Sequence, residues 1–195
     1  MKLRAFFYYP MKKLASSKAG VAVSSIWGVA EALWWPIVPD VFVFSASVAA
    51  PKRWWRLALA SSGGSVAGGC LAYWVAYRSP GNFPVDSLPL IGPNMITMAR
   101  SWLESGGAPA LLRQPLSGIP YKVFAYLAGD AHLGLAGFIL FSVLARTLRI
   151  AAFAGIAAVI GTAGGDRVWS RAYDLFIGFL LIIFAIGLIQ VVNSF

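Results

Sequence analysis

Charge is scarce in this chain: of 195 residues only seven are acidic, and charged residues of both signs make up 12%. Soluble domains carry about a quarter. That scarcity excludes an ordinary soluble globular domain and points to an integral membrane protein. The single cysteine, Cys70, excludes a disulfide framework and reads as a small packing residue in an apolar run. With one histidine, His132, and scattered acids there is no three- or four-ligand set, so neither a metal nor any other cofactor is expected. Gly63-Gly64-Ser65-Val66-Ala67 resembles a nucleophile elbow only until Ala67, where the final glycine is missing. An enzyme is not expected.

Apolar residues fill the space: 59% are hydrophobic, with a mean hydropathy of +0.73 and a net charge of +9. The cations sit between apolar segments rather than in one solvated stripe with interleaved aromatics. They read as topology signals, not as a nucleic-acid surface. Residues 1–19 mix Phe6, Phe7, Tyr8 and Tyr9 with Lys2, Arg4, Lys12, Lys13 and Lys18. Such a basic segment suits the surface of an anionic cytoplasmic leaflet, with a disordered tail as the plainer alternative. No small-residue cleavage site follows in the usual place, so the segment is expected to remain attached.

Residues 20–50 are apolar but interrupted at Glu31-Ala32-Leu33-Trp34-Trp35-Pro36-Ile37-Val38-Pro39-Asp40. Proline breaks a helix and a carboxylate in hydrocarbon is costly, so both fit only where broken backbone lines a protected cavity. The arms 20–35 and 40–50 would reach roughly 24 Å and 16 Å as helices, short of a hydrocarbon core about 30 Å thick. A re-entrant hairpin is expected, with Asp40 a candidate N-cap of its second arm. Residues 57–77 read as a full span whose Ser61, Ser65, Gly68 and Ala72, with Gly64, form a small-residue packing face. An external loop at 78–105 follows, with a short helix at 95–103. Residues 106–135 repeat the broken pattern around Pro115 and Pro120, now with Lys122 in the second arm. Spans at 137–162 and 173–194, joined by a basic turn at 163–171, complete the chain.

The expected fold is therefore an all-α polytopic membrane protein: a single membrane domain over 20–195, with two re-entrant hairpins as a pseudo-inverted repeat and about three full transmembrane helices. Ten of the sixteen Lys and Arg fall in the tail, at 52–56 and at 167–171, which places the N-terminus in the cytoplasm. Arg146 and Arg149 lie within a span, three residues apart on one face, each costing at least about 2.5 kcal/mol unless it meets protein, water or an anion. Glu31 and Asp40 are candidates for proton coupling, or for a fixed ion-pair network. Lys122, Arg146 and Arg149 are candidates for binding a phosphate-headed lipid, or only for neutralising those acids. Pro36, Pro39, Pro115 and Pro120 are the expected hairpin breakers, and His132 beside Asp130 reads as an interfacial histidine.

Three stretches carry a resemblance: Glu31 to Asp40; the span holding Gly63, Gly64, Ser65, Gly68, Gly69 and Tyr73; and Gly118-Ile119-Pro120-Tyr121-Lys122-Val123-Phe124 followed by Ala128-Gly129. Together, over about residues 20–160, they resemble the DedA superfamily, also called the SNARE-associated or VTT-domain family, with order and spacing nearest its small YqaA-like branch. The resemblance implies a multi-pass protein of the bacterial inner membrane that moves lipids such as undecaprenyl phosphate or phospholipids between leaflets, with dependence on proton motive force. Glu31 and Asp40 match the family's acids. Better-known members carry arginines around the second Ile-Pro, where this chain has Ser117 and Lys122, so those ligands do not transfer one for one. A proton-coupled transporter of small ions or solutes and a non-transporting scaffold remain the alternatives, and oligomeric state, a homo-oligomer included, stays open.

Overall fold

The computed structural model describes residues 6–194, which form helices and no strand. The helices are α1 (Tyr8–Ala15), α2 (Lys18–Leu33), α3 (Asp40–Ala49), α4 (Trp54–Arg78), α5 (Pro93–Gly106), α6 (Gln114–Ser117), α7 (Tyr121–Asp130) and α8 (Leu135–Ser194). A 3-10 turn at Ala108–Arg113 leads into α6. Expectations for Lys2 and Arg4 lie outside the described residues. From Tyr8 onward the tail is a docked helix rather than a loose one: Tyr8 is buried, and its hydroxyl and Lys12 both bind the Asp166 carboxylate, at 2.6 Å for the hydroxyl. Those hydrogen bonds, Lys12 first, hold the exposed Asp166 carboxyl below its usual value.

Helix α4 is the centre of the packing, with α2, α7 and the first limb of α8 around it. It runs parallel to α2 at backbone contact, because small residues meet small residues. A Cβ on Gly64 would overlap the Ser25 carbonyl oxygen, and one on Gly68 would crowd the Val29 carbonyl. The small-residue face read from the sequence is thus the α2–α4 seam. Its outward neighbour Gly63 has nothing within 4 Å of the place a methyl group would take.

Three expectations need correction. The spans at 137–162 and 173–194 are two helical limbs of α8 that meet at a kink, but the turn expected at 163–171 narrows to Gly165 alone, at φ 60° and ψ 178°. Only glycine adopts that geometry without strain. Pro115 begins α6 in its first turn instead of breaking a helix, as suits a residue without a backbone donor. The second break falls instead at Gly118, which is left-handed at φ 76°, and at Pro120. Asp40 is the first residue of α3 rather than its cap; Pro39 holds the cap position.

Among the described residues one helix, Leu135–Gly187, is long and apolar enough by length and composition to cross a membrane, with a mean hydropathy of 1.8. α4 has 25 residues, but the serines and glycines of its packing face dilute its hydropathy. The segment between α4 and α7 is clasped by Asp130, whose carboxylate accepts from the Gly81 amide at 2.6 Å and from Arg100 at 3.2 Å. The Phe83 ring stacks on Tyr126 beside it.

If backbone contact sets the seam, Gly64→Ala should destabilise the protein by about 1–3 kcal/mol through overpacking. Gly63→Ala should be neutral or stabilising by up to about 1 kcal/mol, from helix propensity. Thermal unfolding of the detergent-solubilised variants followed by circular dichroism separates the two.

Candidate functional site

Helix α2 stops at Leu33 because Pro36 and Pro39 cannot continue it, and its last carbonyls are left without helical partners. The second broken segment supplies donors for them. Tyr126 donates to Leu33 O at 3.2 Å, and Lys122 Nζ donates to Trp34 O at 3.1 Å and Trp35 O at 3.2 Å. Within the first segment, Trp27 Nε1 donates to Ile37 O at 2.9 Å. The second break is closed by its own side chains: Gln114 donates to Ile119 O at 3.0 Å, and Ser117 accepts from the Ile119 amide at 3.1 Å. An ammonium at a helix C-terminus also lies at the negative end of the dipole.

The two breaks meet at one cavity of about 360 Å³, with Pro36 and Pro120 both in its wall. Glu31, Asp40, Lys122 and Arg149 line it as well. Arg146 stands behind Glu31, fully buried, with Nη2 donating to Glu31 Oε2 at 2.8 Å and to Ser65 Oγ at 3.0 Å. Its guanidinium also lies 5.0 Å from the centre of the Tyr121 ring. Arg149 Nη2 comes within 3.1 Å of Asp40 Oδ2, out of line for a hydrogen bond, so the contact is an ion pair without directed bonding.

The two pairs differ in solvent access. Side-chain exposures are 0% and 3% for Arg146 and Glu31, against 20% and 9% for Arg149 and Asp40. The first is a buried, directed, three-helix contact, although Arg146 Nε and Nη1 find no hydrogen-bonding partner in the protein; the second sits at the cavity surface without a directed bond. Neither Asp40 oxygen, nor Arg149 Nε, nor Gln114 Oε1 has a hydrogen-bonding partner in the protein. Two acids against three bases leave the cluster at +1, which favours an anion from outside. The rest of the wall is apolar, from Phe44 on α3 to Phe153, Leu180 and Phe184 on the two limbs of α8.

All five charged residues singled out from the sequence are therefore gathered at one place. Lys122 is already occupied by the backbone of the first break, however, and Pro115 is not in the cavity wall. His132 is away from the cavity, exposed, with its ring against Tyr77 at 4.5 Å. Sequence reasoning missed Gln114, Ser65 and Tyr126. Ser65 was visible as a small residue, but nothing in its spacing told that its hydroxyl would face Arg146.

Comparison with known proteins adds little to this geometry. An uncharacterised protein of Haemophilus influenzae is 26% identical over 163 residues, covering 81% of this chain and 82% of that protein. No family model and no solved structure matches.

Replacing one partner of the buried pair leaves an uncompensated charge, so Glu31→Gln or Arg146→Met should each cost about 3–5 kcal/mol of stability. The double variant should lose much less than the two single losses combined. A double-mutant cycle in thermal unfolding measures that coupling, and additive losses would contradict it.

Proposed function

We propose that this protein is a membrane lipid translocase of the DedA type, moving an anionic, phosphate-headed lipid such as undecaprenyl phosphate or a phospholipid between leaflets. The observation carrying the reading is the shared cavity: two broken segments meet there, with a net-positive ionic floor and an apolar wall. Irregular backbone at membrane depth is tolerated where it lines such a cavity.

In this reading the two broken segments are re-entrant hairpins. Helix α4 and the limbs of α8 cross a bacterial inner membrane, and the basic N-terminal end is cytoplasmic. Each limb of α8 exceeds the roughly 20 residues a crossing needs. Leu148, Val159, Leu175 and Phe179, each more than 60% exposed, would face lipid.

The division of labour follows from burial. Glu31 and Arg146 hold the helices around the cavity, and Lys122 closes the first break with two of its three donors. Asp40 and Arg149 form the working pair. A lipid phosphate displaces Asp40 from Arg149 and takes the guanidinium edge, while its chain lies along Phe44, Phe153 and Leu180. Protonation of Asp40 frees Arg149 for the phosphate, and loss of that proton expels it. That alternation couples headgroup movement to a proton gradient. A cavity of about 360 Å³ also suits a small solute, so proton-coupled solute transport through the same pair is the second reading.

Liposomes containing the purified protein and labelled phospholipid or polyprenyl phosphate test this directly. Asp40→Asn and Arg149→Gln should each slow flip about tenfold or more, the equivalent of one lost charge-assisted contact, while unfolding temperature stays near that of the parent. Flip unchanged in both variants would sink the assignment. Solute flux driven by a pH gradient without any lipid flip would select the second reading.

A further inference from the structure

Because α2 and α4 run parallel, their N-terminal ends lie together, about 20 Å along α2 from Glu31. A second cavity of about 250 Å³ opens there, lined by Ser16, Ser17, Lys18, Val21, Arg53 and Arg56. Among the described residues no carboxylate pairs with these three cations. The chain has none to spare. Glu31 and Asp40 face Arg146 and Arg149, Asp130 holds Arg100, and Asp166 holds Lys12. Asp174 accepts from the Phe6 and Phe7 amides. Asp86 and Glu104 belong to the segment after the far end of α4.

The helix ends add to the imbalance. Ser17 caps α2 by accepting from the Gly20 amide at 3.3 Å, and Arg53 precedes α4, so the positive ends of both dipoles point toward this place. Three uncompensated cations around a concave space at two helix N-termini hold a positive potential that only an external anion neutralises. Guanidinium edges match the tetrahedral oxygens of a phosphate better than a lone ammonium does. The Arg56 guanidinium lies 5.0 Å from the centre of the exposed Trp55 ring.

We propose that this cavity is a phosphate-binding site separate from the central one, formed by Lys18, Arg53 and Arg56 for the phosphate of an anionic lipid headgroup or for free phosphate. It does not depend on translocation: a protein that flips nothing would still carry it.

The test is native mass spectrometry of the full-length protein in detergent, titrated with dioleoyl phosphatidylglycerol or phosphatidylcholine, in an Arg149→Gln background to silence the central cavity. Phosphatidylglycerol should be retained over phosphatidylcholine. Neutralising the cations one by one, as Lys18→Gln, Arg53→Gln and Arg56→Gln, should weaken retention about fivefold per cation. Arg53→Lys with Arg56→Lys should keep most of it. Inorganic phosphate that competes the lipid away assigns the site to phosphate from either source, whereas retention indifferent to millimolar phosphate assigns it to the lipid. Equal retention of phosphatidylglycerol by the parent and the triple glutamine variant would overturn the proposal.

Discussion

A guanidinium without water is tolerable only against a fixed anion and fixed acceptors, and Arg146 has no exposed surface at all. Its partners come from three other helices: Glu31 from α2, Ser65 from α4 and the Tyr121 ring from α7. One charge on α8 therefore fixes where each of those helices can stand. The glycine seam is the condition for this. Only with Gly64 and Gly68 letting α2 approach α4 at backbone contact does Glu31 come within reach of an arginine that also binds Ser65.

The same economy governs the broken segments. A helix that stops in an apolar interior exposes carbonyls that cost several kcal/mol each if unmet. The first break is met chiefly from the second segment, through Lys122 and Tyr126, so the first segment is not complete alone, whereas the second closes on its own Gln114 and Ser117. Lys122 thereby changes meaning: a cation that in sequence reads as a phosphate ligand is held by two backbone oxygens. The cation of the cavity wall without a directed contact is Arg149, which lies close to Asp40.

Much of this was legible because charge in an apolar chain is costly and so rarely idle. Glu31, Asp40, Lys122, Arg146 and Arg149 stood out by type and position alone, and the structure gathers them. The helical class followed from the apolar spacing, and a close-packing face on α4 from small residues four apart, though not α2 as the helix it meets. What stayed hidden depends on three-dimensional pairing. Gln114 and Tyr126 each act through a single donor, the amide Nε2 and the hydroxyl, that leaves no periodic trace. Pro115 carried a true signal with two meanings, since proline both ends a helix and begins one. Only Gly118 beside it, in a left-handed turn, decides where the break falls. Gly165 was one of twenty glycines, indistinguishable until its φ is known.

Under the proposed translocation the contrast between the two ion pairs follows from what each would have to do. A pair that orders helices gains from burial, because removing water makes every misplacement expensive; Glu31 and Arg146 meet that need with directed contacts. A pair that exchanges partners must stay shallow, since a deeply buried charge has no route to an intermediate state. Asp40 and Arg149 are partly open to the cavity and hold one another without a directed bond. The placement of Arg149 three residues from Arg146 on the same face of α8 ties the two pairs together. Arg146 is held to α2 and α4 by Glu31 and Ser65, so under the proposed exchange a displacement of Arg149 would fall on α3 and the far limb of α8 rather than on the central helices.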